Sequence, residues 1–387
     1  MPASTLILSL LLLMILLNRA APLRAAEPEV LRADHMSQLV SLNRVDGPIA
    51  ALGSRAYLDY NFLPRNVGLK AAGAFSVAAL RSQFDLGIKV GLDSTRFAPA
   101  ITFDIYDLTA SFDGWKAAVL DNSIVTLLRG ADEFDYFRLQ GWRAGIHWQV
   151  DETWFVRARL HRESWSPLRT RLCWSLFGYE YDVRNNPALR GMTSDFTSRL
   201  ELALQVQDLI DLYGYRSGWR FNLVYSDNLD AAQGDRLDAE LAAFLPSQWL
   251  ALHARLRLGA SGAAGYPNVF SLGGQGSLPA IPVNSLAGNR MLMVNAELLL
   301  HQKMTLDESF LQELALVGLF DAGVTGQAAP TAPLVEGLSF DGRPWSVSAG
   351  FGIGSRHAVW LLGIVRDLRS DGSFSLIFRF SPNFQFF

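Results

Sequence analysis

The chain has 387 residues, of which 50% are apolar and only 18% charged, with a net charge of -3. Lys and Arg are not in excess and form no run, which leaves no footprint for nucleic acid. A single cysteine, Cys173, excludes an intramolecular disulfide and a cysteine metal cluster.

In chain order, the first element is an apolar run from Leu6 to Leu17, shorter than the roughly 20 residues a membrane-spanning helix takes. Ala20, Ala21, Ala25 and Ala26 follow it, the small residues of a signal-peptidase site. Residues 1–26 therefore read as a secretory signal peptide, with an uncleaved N-terminal anchor as the other reading. Residues 27–47 are mixed in character and read as a short periplasmic lead-in, ahead of a domain over 48–387.

No second apolar run of helical length follows, although the chain is mildly hydrophobic throughout. Strands that alternate lipid-facing and lumen-facing residues resolve this, because hydropathy then averages out along each strand. The alternation and turn signals place strands near 48–58, 68–80, 82–92, 98–110, 136–149, 153–164, 168–183, 195–208, 214–226, 234–245, 248–260, 290–301, 311–323, 344–355, 357–368 and 373–384. The expected fold is all-β: a closed antiparallel transmembrane β-barrel of about 16 strands in the bacterial outer membrane, in contact with its lipid.

Several strands assign their own faces. Val156, Ala158 and Leu160 oppose Arg157, Arg159 and His161, and Leu200, Leu202 and Leu204 oppose Glu201, Ala203 and Gln205. Leu252, Ala254, Leu256 and Leu258 oppose His253, Arg255 and Arg257, and Leu292, Val294, Ala296 and Leu298 oppose Met291, Met293, Asn295 and Glu297. A basic side chain on the lipid face at mid-depth costs about 2–4 kcal/mol, so Arg157, Arg159, Arg255, Arg257 and Arg379 are expected to face the lumen. On 346–354 the small residues Ser346, Ser348, Gly350, Gly352 and Gly354 share the inner face and leave room there for the long glycine-rich loop over 261–289. Counting strands from a periplasmic N-terminus puts that loop outside and the short links at Arg81 and Arg356 in the periplasm. The same count puts Asp113 to Asp135, with its helical apolar spacing, at the periplasmic mouth.

The stretch 268–302 resembles the sixth extracellular loop and following strand of the bacterial surface antigen family, the outer-membrane barrels that include barrel-assembly insertases and two-partner secretion transporters. Leu272, Gly273 and Gly274 match the family's loop start, Leu278 its tip, and Gly288, Asn295 and Glu297 the strand that follows. Phe320, Asp321 and Gly323 match the acidic motif of the next strand, and Ser41 to Gly47, SLNRVDG, resembles an entry into the first strand. The tip departs: Pro279, Ala280 and Ile281 stand where the family has Arg, Gly and an aromatic. The resemblance implies that the loop folds into the lumen, with Asp321 and Glu297 helping to hold it. It also implies that polypeptide-transport-associated modules, each much longer than the lead-in, are absent, so that a separate periplasmic partner would deliver substrate. The terminal Phe378, Phe380, Phe384, Phe386 and Phe387 resemble the signal read by the barrel-assembly machinery.

The expected function is translocation or membrane insertion of polypeptide or lipid, without catalysis. A passive channel for small solutes and a hydrolase using His161 or His253 are the alternatives. The six histidines, His35, His147, His161, His253, His301 and His357, have no metal-ligand spacing, and no cofactor motif occurs. Asp227, Asp230 and Asp235 read as a solvated hairpin tip in preference to a calcium site.

Overall fold

The computed structural model describes residues 40–59, 66–93, 97–172, 196–212, 215–230, 234–262, 268–301, 314–329, 332–338, 342–355, 360–369 and 374–380, together with Ser175, Asn186 and Phe340. The expected signal peptide, most of the lead-in, and Phe384, Phe386 and Phe387 lie outside these residues.

Strands β1 (Val40–Asn43), β2 (Gly47–Asp59), β3 (Val67–Ser76), β4 (Arg81–Gly91) and β5 (Ala100–Ala110) precede one helix, α1 (Val119–Arg129). After it come β6 (Phe137–Gln149), β7 (Trp154–Pro167), β8 (Thr197–Leu212), β9 (Tyr215–Asn228), β10 (Arg236–Pro246) and β11 (Leu250–Ser261). A small hairpin, β12 (Phe270–Leu272) and β13 (Leu286–Gly288), leads to β14 (Arg290–His301), β15 (Leu314–Gly326), β16 (Ser346–Ser355), β17 (Leu361–Asp367) and β18 (Ser375–Arg379). All but β12 and β13 form one 16-stranded antiparallel sheet in which each strand pairs with its neighbours in sequence. Local chemistry closes the tight links. Between β6 and β7 the Asp151 carboxylate accepts from the amides of Thr153 (2.7 Å) and Trp154 (2.8 Å), the side-chain turn Asp favours.

The two faces of the sheet differ in kind, as the two-residue period requires. One face exposes large apolar side chains from one strand to the next, among them Ile101 at 51%, Leu316 at 61% and Phe351 at 67%. The other buries Asp104, Glu163, Arg255, Arg257, Asn295, Glu297 and Asp321. The sheet wraps around this polar face. Helix α1 touches both edge strands: Ser123 Oγ accepts from the Leu42 amide (2.9 Å) and Asp121 Oδ1 from the Phe380 amide just beyond β18 (2.6 Å). No helix among the described residues is long and apolar enough to cross a membrane, which says nothing about crossing by strands.

Two expectations need correction. Of the range 168–183, the described residues 168–172 and Ser175 take no place in the sheet, in which β7 pairs directly with β8, and the rest lies outside the described residues. Its described amides at Arg171 and Leu172 instead donate to the Arg44 carbonyl (2.8 and 2.9 Å). The sheet begins earlier than residue 48, with β1 inside the stretch read as lead-in. One strand lost and one gained keep the number at 16 but invert the ends between them. The link 77–80 and the segment 111–136 therefore lie at the same end as the connection after β11, and the link 356–360 lies at the other.

That inversion explains the turn after β1. Arg44 donates to Asp135 Oδ1 (2.6 Å) and Asn186 Oδ1 (2.8 Å), and its amide donates to Asp132 Oδ2 (2.9 Å). Asp46 accepts from Ser76 Oγ (2.8 Å). Burial, reinforced by Asp132, pushes the Tyr136 hydroxyl well above its ordinary pKa, so it stays protonated and donates to Asp132 (3.0 Å). The SLNRVDG stretch is a buried polar knot that fastens 111–136 over the sheet's inner side.

Candidate functional site

The residues singled out around the long loop converge. β12 and β13 pair through Phe270 and Gly288 and carry the tip, 273–285, against the inner faces of β14 and β15. The tip is shaped by its glycines. Gly274 has φ +96°, and a Cβ there would meet the Glu133 carboxylate at 1.8 Å. A Cβ on Gly276 would meet the Lys116 carbonyl at 1.4 Å. Only glycine lets the loop press so closely on 113–136. The chain then turns back on itself, with the Gly273 amide donating to Ser277 Oγ (2.9 Å) and the Gly274 amide to the Ile281 carbonyl (3.0 Å).

A single rung of the sheet grips the tip. Arg255 on β11, Asn295 on β14 and Asp321 on β15 are direct cross-strand partners. Arg255 is 1% exposed. It donates to the Gly276 carbonyl (2.7 Å), the Trp115 carbonyl (3.1 Å) and Asn295 Oδ1 (2.8 and 3.0 Å). With its oxygen engaged by a guanidinium, Asn295 has only its amide protons to give. Both are used, on the Ser277 carbonyl (2.8 Å) and on Asp321 Oδ1 (2.6 Å). Asp321 therefore reaches the loop through Asn295.

Apolar packing seats the rest. Trp115, Phe270, Leu272, Leu278, Met291 and Met293 form one buried cluster. Gly323 makes room for it, since a Cβ there would lie 2.8 Å from Leu272 Cδ1 and 3.2 Å from Leu278 Cδ1. Further along the tip, Ala280 packs on a second cluster that includes Val317, Leu361 and Val365.

The Glu297 carboxylate holds Arg379 of β18 at 2.6 and 3.2 Å, tying the last strand across the inner face. Arg257 binds Asp238 (2.7 Å) and Glu240 (2.9 Å) and lies over the Trp115 ring (4.3 Å). Arg157 and Arg159 stand apart on β7, against Glu201 at 3.1 and 3.8 Å. His161 is held by Glu163 (2.9 Å).

Sequence reasoning passes over Lys116, Glu133 and Arg290. Lys116 joins Asp113 (2.7 Å), Ser271 (2.8 Å) and Asn284, and Glu133 accepts from the Gln275 amide (3.0 Å). Arg290 collects the carbonyls of Ser261 (2.6 Å), Glu336 (2.7 Å) and Pro333 (2.9 Å) where the loop returns to the sheet. Arg290 opens a strand whose alternation was read only from the next residue. Lys116 and Glu133 lie on the irregular chain on either side of α1, outside the helical spacing that marks 113–135. Among the described residues no group of three or more His, Cys, Asp or Glu could hold a metal ion.

No family model and no curated protein sequence matches the chain. Among solved structures, BamA from Haemophilus ducreyi lacking POTRA domains 1–3 is similar, with TM-score 0.56 and 14% identity, covering 88% of this chain and 67% of that one. CdiB from Acinetobacter baumannii aligns with TM-score 0.47 and 13% identity, covering 88% of this chain and 57% of its own. CdiB from Escherichia coli aligns with TM-score 0.45 and 12% identity, covering 88% and 61%. The first of these likenesses shows that the all-β, 16-stranded architecture belongs to the kind of fold seen in BamA.

Proposed function

We propose that the protein is a closed β-barrel of the bacterial outer membrane, of the surface antigen type. In this reading it moves polypeptide or lipid into or across that membrane, with a separate periplasmic partner delivering the substrate and without catalysis. The observation that carries the reading is the loop tip gripped from the sheet by the Arg255–Asn295–Asp321 rung. A loop fastened this deeply in the lumen suits a machine whose interior is occupied and rearranged. It does not suit an open pore. The exposed apolar belt supports the membrane setting, because such a band in water would be an aggregation surface. The loop end is then extracellular, and the hydrogen bonds that α1 accepts from Leu42 of β1 and from Phe380 just beyond β18 support closure.

The test is reconstitution of the full chain into lipid vesicles, with an unfolded outer-membrane barrel polypeptide supplied from the periplasmic-side solution. Insertion at least about tenfold faster than into empty vesicles, and lost when Arg255 is replaced, is the expected result. Steady ion conductance in a planar bilayer without any acceleration of insertion overturns it in favour of a passive channel.

A further inference from the structure

The link between β3 and β4, at the loop end of the sheet, has the wrong composition for a solvated turn. Residues 77–80 read Val-Ala-Ala-Leu, without a glycine, proline or polar turn residue. Leu80 takes φ +48°, a left-handed backbone that a bulky apolar residue rarely adopts, and its side chain is 79% exposed. Such a conformation persists where the surroundings over-determine it, and here they do. The Val77 amide donates to the Pro48 carbonyl (2.9 Å) and the Ala78 amide to the Asp46 carbonyl (3.0 Å). The Asp46 carboxylate in turn accepts from Ser76 Oγ (2.8 Å) and meets Arg81 Nη2 at 3.4 Å. The buried knot therefore holds an apolar turn outward. Val77, 50% exposed, follows Phe75 on the outward face of β3, so the turn extends the apolar belt to the rim.

A basic edge runs beside this turn. Leu168 packs on the cluster of Val45, Phe134 and Tyr136, and Leu172 is buried, with the Arg171 and Leu172 amides held on the Arg44 carbonyl. Between them the alternation leaves Arg169 and Arg171 exposed. Arg171 Nη1 donates to the Ala78 carbonyl (3.3 Å), which sets the guanidinium against the turn. Among the described residues neither arginine pairs with a carboxylate, and Asp46 beneath the turn is fully buried. Exposed guanidiniums beside an outward apolar tip match a boundary with hydrocarbon on one side and negative headgroups on the other.

We propose that the 77–80 turn and the Arg169 and Arg171 edge form a docking surface for a lipid with an anionic phosphate headgroup, Leu80 and Val77 lying among its acyl chains and the arginines on its phosphate. This rests on the membrane setting proposed above. The test titrates the full chain in dodecyl maltoside with dioleoyl phosphatidate and dioleoyl phosphatidylcholine, read by native mass spectrometry, with an acyl-chain diazirine on each lipid to report its position by photolabelling. Phosphatidate is expected to bind at least about tenfold more tightly than the choline lipid and to label the β3–β4 hairpin around the turn. Replacing both arginines, Arg169→Ser with Arg171→Ser, should weaken phosphatidate roughly 25-fold, about fivefold for each basic residue at a charged surface, and leave the choline lipid unchanged. Leu80→Gly relieves the left-handed backbone and removes the apolar side chain. It should therefore not lower the thermal unfolding midpoint, yet weaken phosphatidate at least about threefold, a split that a leucine serving the fold alone would not give. Equal affinity for the two lipids, photolabelling confined to other strands, or full phosphatidate affinity in either variant that folds overturns the docking surface. Recovery of the unaltered chain as a soluble protein without detergent or lipid overturns the membrane setting and the docking surface with it.

Discussion

Replacing Arg255 with Ala tests the grip on the loop. The substitution leaves three buried acceptors without their donor: the carbonyls of Gly276 and Trp115 and the Asn295 side-chain oxygen. Each orphaned buried acceptor costs about 1–3 kcal/mol, so with three of them the docked loop should lose at least about 3 kcal/mol. At about 1.4 kcal/mol per tenfold, the undocked population rises roughly 100-fold or more. The loss is local, because the sheet's ladders do not pass through the Arg255 side chain. Ser277, fully buried at the tip, is the reporter. In a Ser277→Cys background, reaction with a membrane-impermeant maleimide should accelerate on the order of 100-fold with Arg255→Ala while heat-modifiable migration of the barrel is unchanged. Less than a threefold change in a barrel that still folds would refute the rung as the loop's anchor. Arg255→Lys should not restore slow labelling, since one ammonium cannot reproduce the planar fork.

Other outcomes follow from the same geometry. Gly323→Val drives a branched side chain against Leu272 and Leu278, and should cost about 1–3 kcal/mol of loop docking by the same thiol assay. Leu298→Arg on the apolar face should cost about 2–4 kcal/mol of barrel stability in bilayers, measured by reversible urea unfolding, whereas Ala254→Gln on that face should cost less. Asn295→Leu removes the link between loop and Asp321, and should approach the labelling rate of Arg255→Ala without adding to it in the double variant, because both act through one network. Arg44→Ala takes the guanidinium from the Asp135 carboxylate, the Asp132 carbonyl and Asn186 Oδ1, and should lower the folded yield on refolding into detergent more than any loop substitution does.

Faces were legible wherever the chain runs in regular strands. The inward position of Arg255, Asn295, Glu297 and Asp321 and the outward position of Phe351 and Ile353 follow from alternation, because the pleat leaves a side chain only two directions. Strand membership was less legible. The alternating stretch 168–183 reads as a strand, yet its described amides go to the Arg44 carbonyl, and a short polar run, Val40–Asn43, takes up pairing instead. Periodicity records which side chains could share a face; it does not record where a backbone finds its hydrogen-bond partner.

The amino-acid sequence by itself determined an all-β chain of about sixteen alternating strands with its arginines inward, because one-dimensional patterning sets local conformation and the cost of charge on an apolar face. The tertiary structure alone decided what lies inside. It brings 111–136 to the same end as the loop, supplies Arg255 from the wall to a tip that has no arginine of its own, and gives Glu297 to Arg379. Arg255 and its tip partner Gly276 lie 21 positions apart along the chain, and Glu297 and Arg379 lie 82 apart. Their partners are chosen by the curvature of the sheet and by the need to satisfy every buried polar group, neither of which is written in the spacing of residues along a strand.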